Sequence, residues 1–154
     1  MKKARRGLLI DANLLVLMII GRVDDGHFIE GSDRLNAYCL EDYDNLWSFI
    51  KSYGEVWITP YIAAEVSNLI DLKGHARDDA FEIARLIFQE FKQVDTSIAK
   101  DCANRSFIEF GLTDASVIAL SKDIDILTSD HRMSNMLSDN QILPYTPIKT
   151  LRNL

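Results

Sequence analysis

Four acidic residues, Asp11, Glu65, Asp114 and Asp130, are the side chains whose types could do chemistry together. Asp11 follows the apolar run Leu8-Leu9-Ile10, and Asp130 closes the apolar segment ILTSD. If both runs are strands of one parallel sheet, both acids lie beyond the carboxyl ends of strands, where open α/β sheets bind ligands. Glu65 stands at the border of a helical stripe made by Ile62, Val66, Leu69 and Ile70, where a carboxylate is costly unless a cation or donor meets it. Asp114 projects between Val117 and Ile118 in the first turn of a short helix, towards the sheet and near the positive end of the helix dipole. Four converging carboxylates repel and raise one another's pKa unless a cation is present. An all-oxygen set favours Mg²⁺ or Mn²⁺ over zinc, and such a site supports hydrolysis of a phosphodiester by an activated water.

Each acid also has a purely structural reading. Asp114 could serve its helix terminus, Asp130 could cap a helix starting at His131, Glu65 could pair with a base, and Asp11 could be an ordinary loop acid. Asn13, Thr113 and Ser129 are positioned to orient ligands or waters, although helix capping accounts equally well for Asn13 and Thr113. Arg132, Arg105 and Lys122 are candidates for phosphate contacts, against the simpler reading of solvated surface bases. His131 adjoins Asp130 but reads as an exposed neutral side chain.

The elements that must position these residues follow from periodicity and punctuation. Leu8–Ile10 reads as a strand, after which Asn13 caps a helix over 14–20 that Gly21 stops. Residues 22–42 hold two glycines and six acids and read as a long inserted loop with one helical turn. An amphipathic helix over 43–53 leads to a strand at Val56–Ile58, and Thr59-Pro60 opens a helix reaching about residue 72. A helix over 78–91, a short strand at 91–94 and a helix over 97–110 closed by Gly111 follow. Thr113 then caps a helix over 114–121, before a strand at 124–128, a short helix at 131–137 and an apolar triplet at 141–143. A surface-bound tail with Pro144 and Pro147 ends this pattern. Strands alternating with helices predict an α/β fold, a parallel sheet with helices on both faces, in a single domain over 1–154.

Composition agrees with that class. Of the 154 residues, 47% are hydrophobic and 26% charged, which supports one globular core. The net charge of -6 argues against a nucleic-acid binder that relies on a basic face, but a bound divalent cation restores positive charge where a phosphate would sit. Lys2, Lys3, Arg5 and Arg6 before an apolar stretch imitate a signal peptide, yet Asp11 and Asn13 interrupt the run and no cleavage site follows, so no targeting or membrane segment is expected. Cys39 and Cys102 have no partners at metal-ligand spacing; they read as free thiols in a reducing compartment, with one disulfide as the alternative.

The segments LLIDANLLV, TPYIAAEVSNLI, GLTDASVIAL and ILTSDHRM, in this order across residues 8–133, resemble those of the PIN-domain ribonucleases, most closely the small toxin-type ones. The resemblance implies a three-layer α/β/α fold around a parallel sheet and a site formed by Asp11, Glu65, Asp114 and Asp130. It further implies Mg²⁺- or Mn²⁺-dependent cleavage of RNA, a cytoplasmic location, frequent homodimers and often an antitoxin protein as partner. The alternative within the same fold is a non-catalytic module that binds RNA or protein. A phosphorelay receiver would need an acidic pair after its first strand and a late lysine. A haloacid-dehalogenase phosphatase would need a second acid where Asn13 stands.

Overall fold

The computed structural model describes residues 7–136 and 142–153, the side chains of 134–136 excepted. Five strands form one sheet in the order β3-β2-β1-β4-β5, every adjacent pair parallel. They are β1 (Leu8–Ile10), β2 (Val56–Ile58), β3 (Lys92–Gln93), β4 (Asp125–Thr128) and β5 (Ile142–Pro144). Central β1 is wholly apolar and buried, as a strand covered on both faces must be. The edge strand β3 is two exposed polar residues, and Pro144, which lacks a ladder N–H, ends the other edge. In register, Leu8 lies beside both Val56 and Asp125. The chain builds outward from β1 through β2 to β3, then crosses to β4 on the opposite side. The order therefore reverses at β1, and the crevice beyond the ends of β1 and β4 is the topological switch point.

Helices cover both faces of this sheet, giving three layers. The first, α1 (Ala12–Ile20), is buried at every position except Asn13, so it is apolar all round. Around it pack α2 (Leu40–Ile50), α3 (Pro60–Leu69) and α4 (Gly74–Glu90). Next come α5 (Ile98–Asp101), α6 (Arg105–Phe110) and α7 (Leu112–Leu120), then α8 (His131–Met136) and α9 (Ile148–Arg152). No helix among the described residues is long and apolar enough to cross a membrane. Cys39 and Cys102 are both free and half-buried.

Several expected boundaries move, each for a local reason. Asp11, not Asn13, occupies the cap of α1, because its own carboxylate takes the Ala12 N–H at 2.8 Å and the helix starts two residues early. Thr113 is likewise inside α7 rather than capping it; Gly111, at φ +87°, both stops α6 and starts α7. The single helix expected over 97–110 breaks at 102–104 into α5 and α6. Gly21 ends α1 with an ordinary φ of −63°. Its lack of a side chain matters for another reason, since a Cβ would overlap the Tyr43 ring and lie 2.8 Å from the Leu17 carbonyl. Helix α3 stops at Leu69, three residues short of expectation. The apolar triplet proves to be a strand, and its first residue, 141, and the helix end at 137 lie outside the described residues.

Residues 22–42 are irregular but packed. Two 3₁₀ turns, Val23–Gly26 and Asp33–Leu35, replace the single turn expected, and Val23, Ile29, Leu35 and Tyr38 are buried. Asp24 and Asp25 adopt left-handed φ values of 47° and 50°, a conformation short acidic side chains tolerate better than most. Two carboxylates hold the segment from outside. Asp71 accepts the buried Ser32 hydroxyl at 2.7 Å and the Arg34 N–H at 3.4 Å. Asp42, fully buried, accepts the Cys39 N–H at 2.8 Å, the Tyr145 hydroxyl at 2.6 Å and the Ile148 N–H at 2.9 Å. Arg152 to Glu41 and Lys149 to the Asn36 carbonyl reinforce this clasp, so the tail is strapped to the segment rather than lying loose on the surface.

Candidate active site

The switch point receives its side chains from four elements. Asp11 leaves β1 with its backbone N–H still bonded to the Leu127 carbonyl, which fixes it beside the end of β4. One of its carboxylate oxygens takes the Ala12 N–H, and the other takes the Thr128 hydroxyl at 2.6 Å. Thr128, fully buried, also accepts the Asp130 N–H at 3.0 Å, so one hydroxyl ties Asp11 to the loop that carries Asp130. Asp114 enters from the first turn of α7, and Glu65 from the middle of α3. Between those helices lies an open cleft of about 440 Å³, lined by Glu65, Asn68, Phe110, Thr113 and Asp114 among others.

The electrostatics show that the four acids feel one another. The Asp114 carboxyl is pushed up to about 7, first by burial and then by Asp11, Asp130 and Glu65, while Arg132 pulls it down. Asp11 is also raised, chiefly by burial; its bonds to Thr128 and Ala12 oppose this, and Asp130 adds to it. Glu65, although largely exposed, is raised by partial loss of water and by Asp11, with Arg34 acting against both. Asp130 alone is lowered, because Arg132 bonds it: the guanidinium Nη2 lies 3.0 Å from Oδ2, and the backbone N–H 3.0 Å from Oδ1. Asp130 thus performs its expected capping duty and also holds a cation. Among the described residues no three acidic, His or Cys side chains stand in a ready-made metal-holding group. Two of the acids are turned towards other donors, Asp11 to Thr128 and Asp130 to Arg132.

The remaining candidates separate. Arg132 is at the site, 75% exposed at its side chain and 5.9 Å from the Phe110 ring. Asn13 is exposed on the first turn of α1, and half-buried Thr113 lines the cleft while its carbonyl accepts the Ser116 hydroxyl. Ser129 is bonded to the hydroxyl of Tyr38. Arg105 is engaged with Glu109 on α6. Lys122 follows α7 and precedes β4, which places it at the opposite edge of the sheet from the acids.

Three residues at or beside the site carry no signal in the sequence. Thr128 reads simply as a β-branched strand residue. Tyr38 is buried, and its hydroxyl is raised by burial and by Asp42 and Asp11, against the hydrogen bond from Ser129. Arg34 reaches Glu65 electrostatically from the inserted segment. No protein-family model matches the chain, and no curated protein matches it, so function must be argued from this geometry and from the residues themselves.

Proposed function

We propose that the chain is a PIN-type endoribonuclease that uses Mg²⁺ or Mn²⁺ to hydrolyse RNA phosphodiester bonds. One observation carries the reading: at the switch point the Asp114 carboxyl is pushed up to about 7, first by burial and then by Asp11, Asp130 and Glu65 together, and among the described residues only Arg132 opposes this. A natural protein keeps such mutual repulsion where a functional cation offsets it. Asp11, Glu65, Asp114 and Asp130 supply only oxygen donors, the set hard divalent ions prefer. Asp11 and Asp114 would hold the ion, with Glu65 and Asp130 completing its shell directly or through water. When bound, the ion supplies positive charge against the phosphate oxygens and polarises the attacking water. Thr128 keeps Asp11 in one orientation, and Asp130 would have to exchange Arg132 for the ion, which would leave that exposed guanidinium for a substrate phosphate. Thr113, which lines the cleft, would orient waters together with Asn13 and Ser129.

The same reading extends to a toxin held by an antitoxin or paired with a second copy of itself. Exposed Ile98, Phe107 and Ile108 on α5 and α6 suit a covered surface. The two free thiols suit a cytoplasmic location. The absence of a ready-made ligand group among the described residues favours, as second reading, a non-catalytic module binding RNA or protein. Assaying RNA cleavage with Mn²⁺ and with EDTA, for the parent and Asp11→Asn, decides between them. The nuclease reading expects cleavage by the parent with Mn²⁺ only; cleavage that survives both EDTA and Asp11→Asn removes it, and no cleavage at all leaves the binding module.

A further inference from the structure

The cleft at Glu65 and Asp114 does not end there. A second open depression of about 440 Å³ adjoins it, lined by Asp33, Arg34, Ile70 and Asp71, and the two share Asn68 and Leu69. Together they make one groove that starts at Phe110, passes the acids, crosses the end of α3 and reaches the inserted segment at Arg34. Arg34 is unusual among the described arginines. Every other one is held, either by an acid, as Arg85, Arg105, Arg132 and Arg152 are, or over an aromatic ring, as Arg22 and Arg77 are. The guanidinium of Arg34 has neither, while its backbone N–H is pinned on Asp71 and the neighbouring Ser32 hydroxyl is pinned on the same carboxylate. The chain therefore fixes where this arginine starts and leaves its head free to meet something else.

We propose that a single RNA strand lies along this groove and that Arg34, delivered by the 22–42 segment, grips a backbone phosphate away from the cleaved one. This rests on the nuclease reading for its choice of RNA. The argument from charge is that the groove is acidic at its centre, where a divalent ion would reverse the sign and release Arg34 from its attraction to Glu65, and that Arg34 is the cation at the far end, beside Asp33 and Asp71. Guanidinium is the group best matched to a phosphate, and backbone pinning lowers the entropy lost on binding. At the near end Phe110 lines the groove with the Arg132 guanidinium 5.9 Å from its ring, an aromatic and cationic pair beside which an unpaired base, which a duplex cannot supply, could stack. The inserted segment thereby becomes a determinant of how much strand the protein holds.

The test is fluorescence anisotropy with a short fluorescein-labelled single-stranded RNA in Ca²⁺, over a salt series, for the parent, Arg34→Ala and Arg34→Lys. Arg34→Ala should weaken binding roughly tenfold and make the slope of log K against log salt shallower by about 0.7, as expected for one lost phosphate contact on a single strand. Arg34→Lys should keep most of both. If Arg34 merely offsets Glu65, Arg34→Ala binds RNA like the parent while its Mn²⁺ affinity, measured by calorimetry, rises; that result overturns the proposal, as does a folded parent that binds no RNA. Cleavage with Mn²⁺ is scored separately. A parent that cleaves while Arg34→Ala binds normally removes the Arg34 assignment alone, and a parent that binds through Arg34 but never cleaves removes the nuclease reading alone.

Discussion

Asp114→Asn should make the protein more stable in alkaline solution, and the size of the effect follows from its surroundings. The carboxyl titrates at about 7 in the folded chain against 3.8 when free. Between those values the native state holds a proton that the unfolded state has released, so stability falls as pH rises through this window and the loss is complete above about 7. Each pH interval is worth about 1.4 kcal/mol. A fully dry group would therefore lose about 4 kcal/mol, and solvent screening of half-buried Asp114 reduces this to about 2 kcal/mol. Asparagine has nearly the same shape and no charge. Parent and variant should differ least below pH 3.8, the gap should widen as pH rises from there, and at pH 8 the variant should melt about 4–8 °C higher for a domain of this size. Circular dichroism melts in EDTA across that range measure it. A difference that does not change with pH, or a variant less stable at pH 8, would refute the claim that burial and the neighbouring carboxylates raise Asp114. Added Mn²⁺ should then raise the melting temperature of the parent more than that of the variant, because only the parent keeps the full ligand set.

Other positions are equally open to test. Thr128→Val removes the hydroxyl shared by Asp11 and the Asp130 N–H and should destabilise the fold by about 1–3 kcal/mol in urea titrations, with Thr128→Ser restoring most of it. Asp42→Ala strands three donors and should cost about 3 kcal/mol, with new protease cuts appearing around 36–42 and 145–152. Gly21→Ala forces a methyl group into the Tyr43 ring and should lower stability by about 1–3 kcal/mol although its backbone angles suit alanine, which a thermal melt will report.

The sheet was legible from sequence wherever a short apolar run stands between turn residues. Runs such as Leu8–Ile10 and Val56–Ile58 have no polar residue to blur them, and turn residues bound them. Strand β5 was less legible because three residues cannot distinguish strand from helix without knowing that β4 lies alongside. Cap positions moved where two competent residues compete, as Asp11 and Asn13 do, since the winner depends on the extended backbone that β1 imposes on Asp11. As candidates, Asp11 and Asp130 could be picked out from strand ends and Glu65 and Asp114 from their places on helical stripes, whereas Thr128, Tyr38 and Arg34 could not. Their significance comes from partners far along the chain, 117 residues apart for Thr128 and Asp11, and no local pattern encodes such a pairing.

The Asp42 clasp also sets a timetable. It joins residues 106 positions apart, so it cannot close before Ile148 has been made. At synthesis rates of about 5–20 residues per second, that is roughly 5–20 s after Asp42 itself is made. During that interval only Asp71 holds the segment carrying Tyr38 and Arg34 from outside, and its second fastening waits for the tail. A growing chain thus reaches its competent form only when most of its length is free of the ribosome, a delay built into a protein whose proposed substrate is RNA.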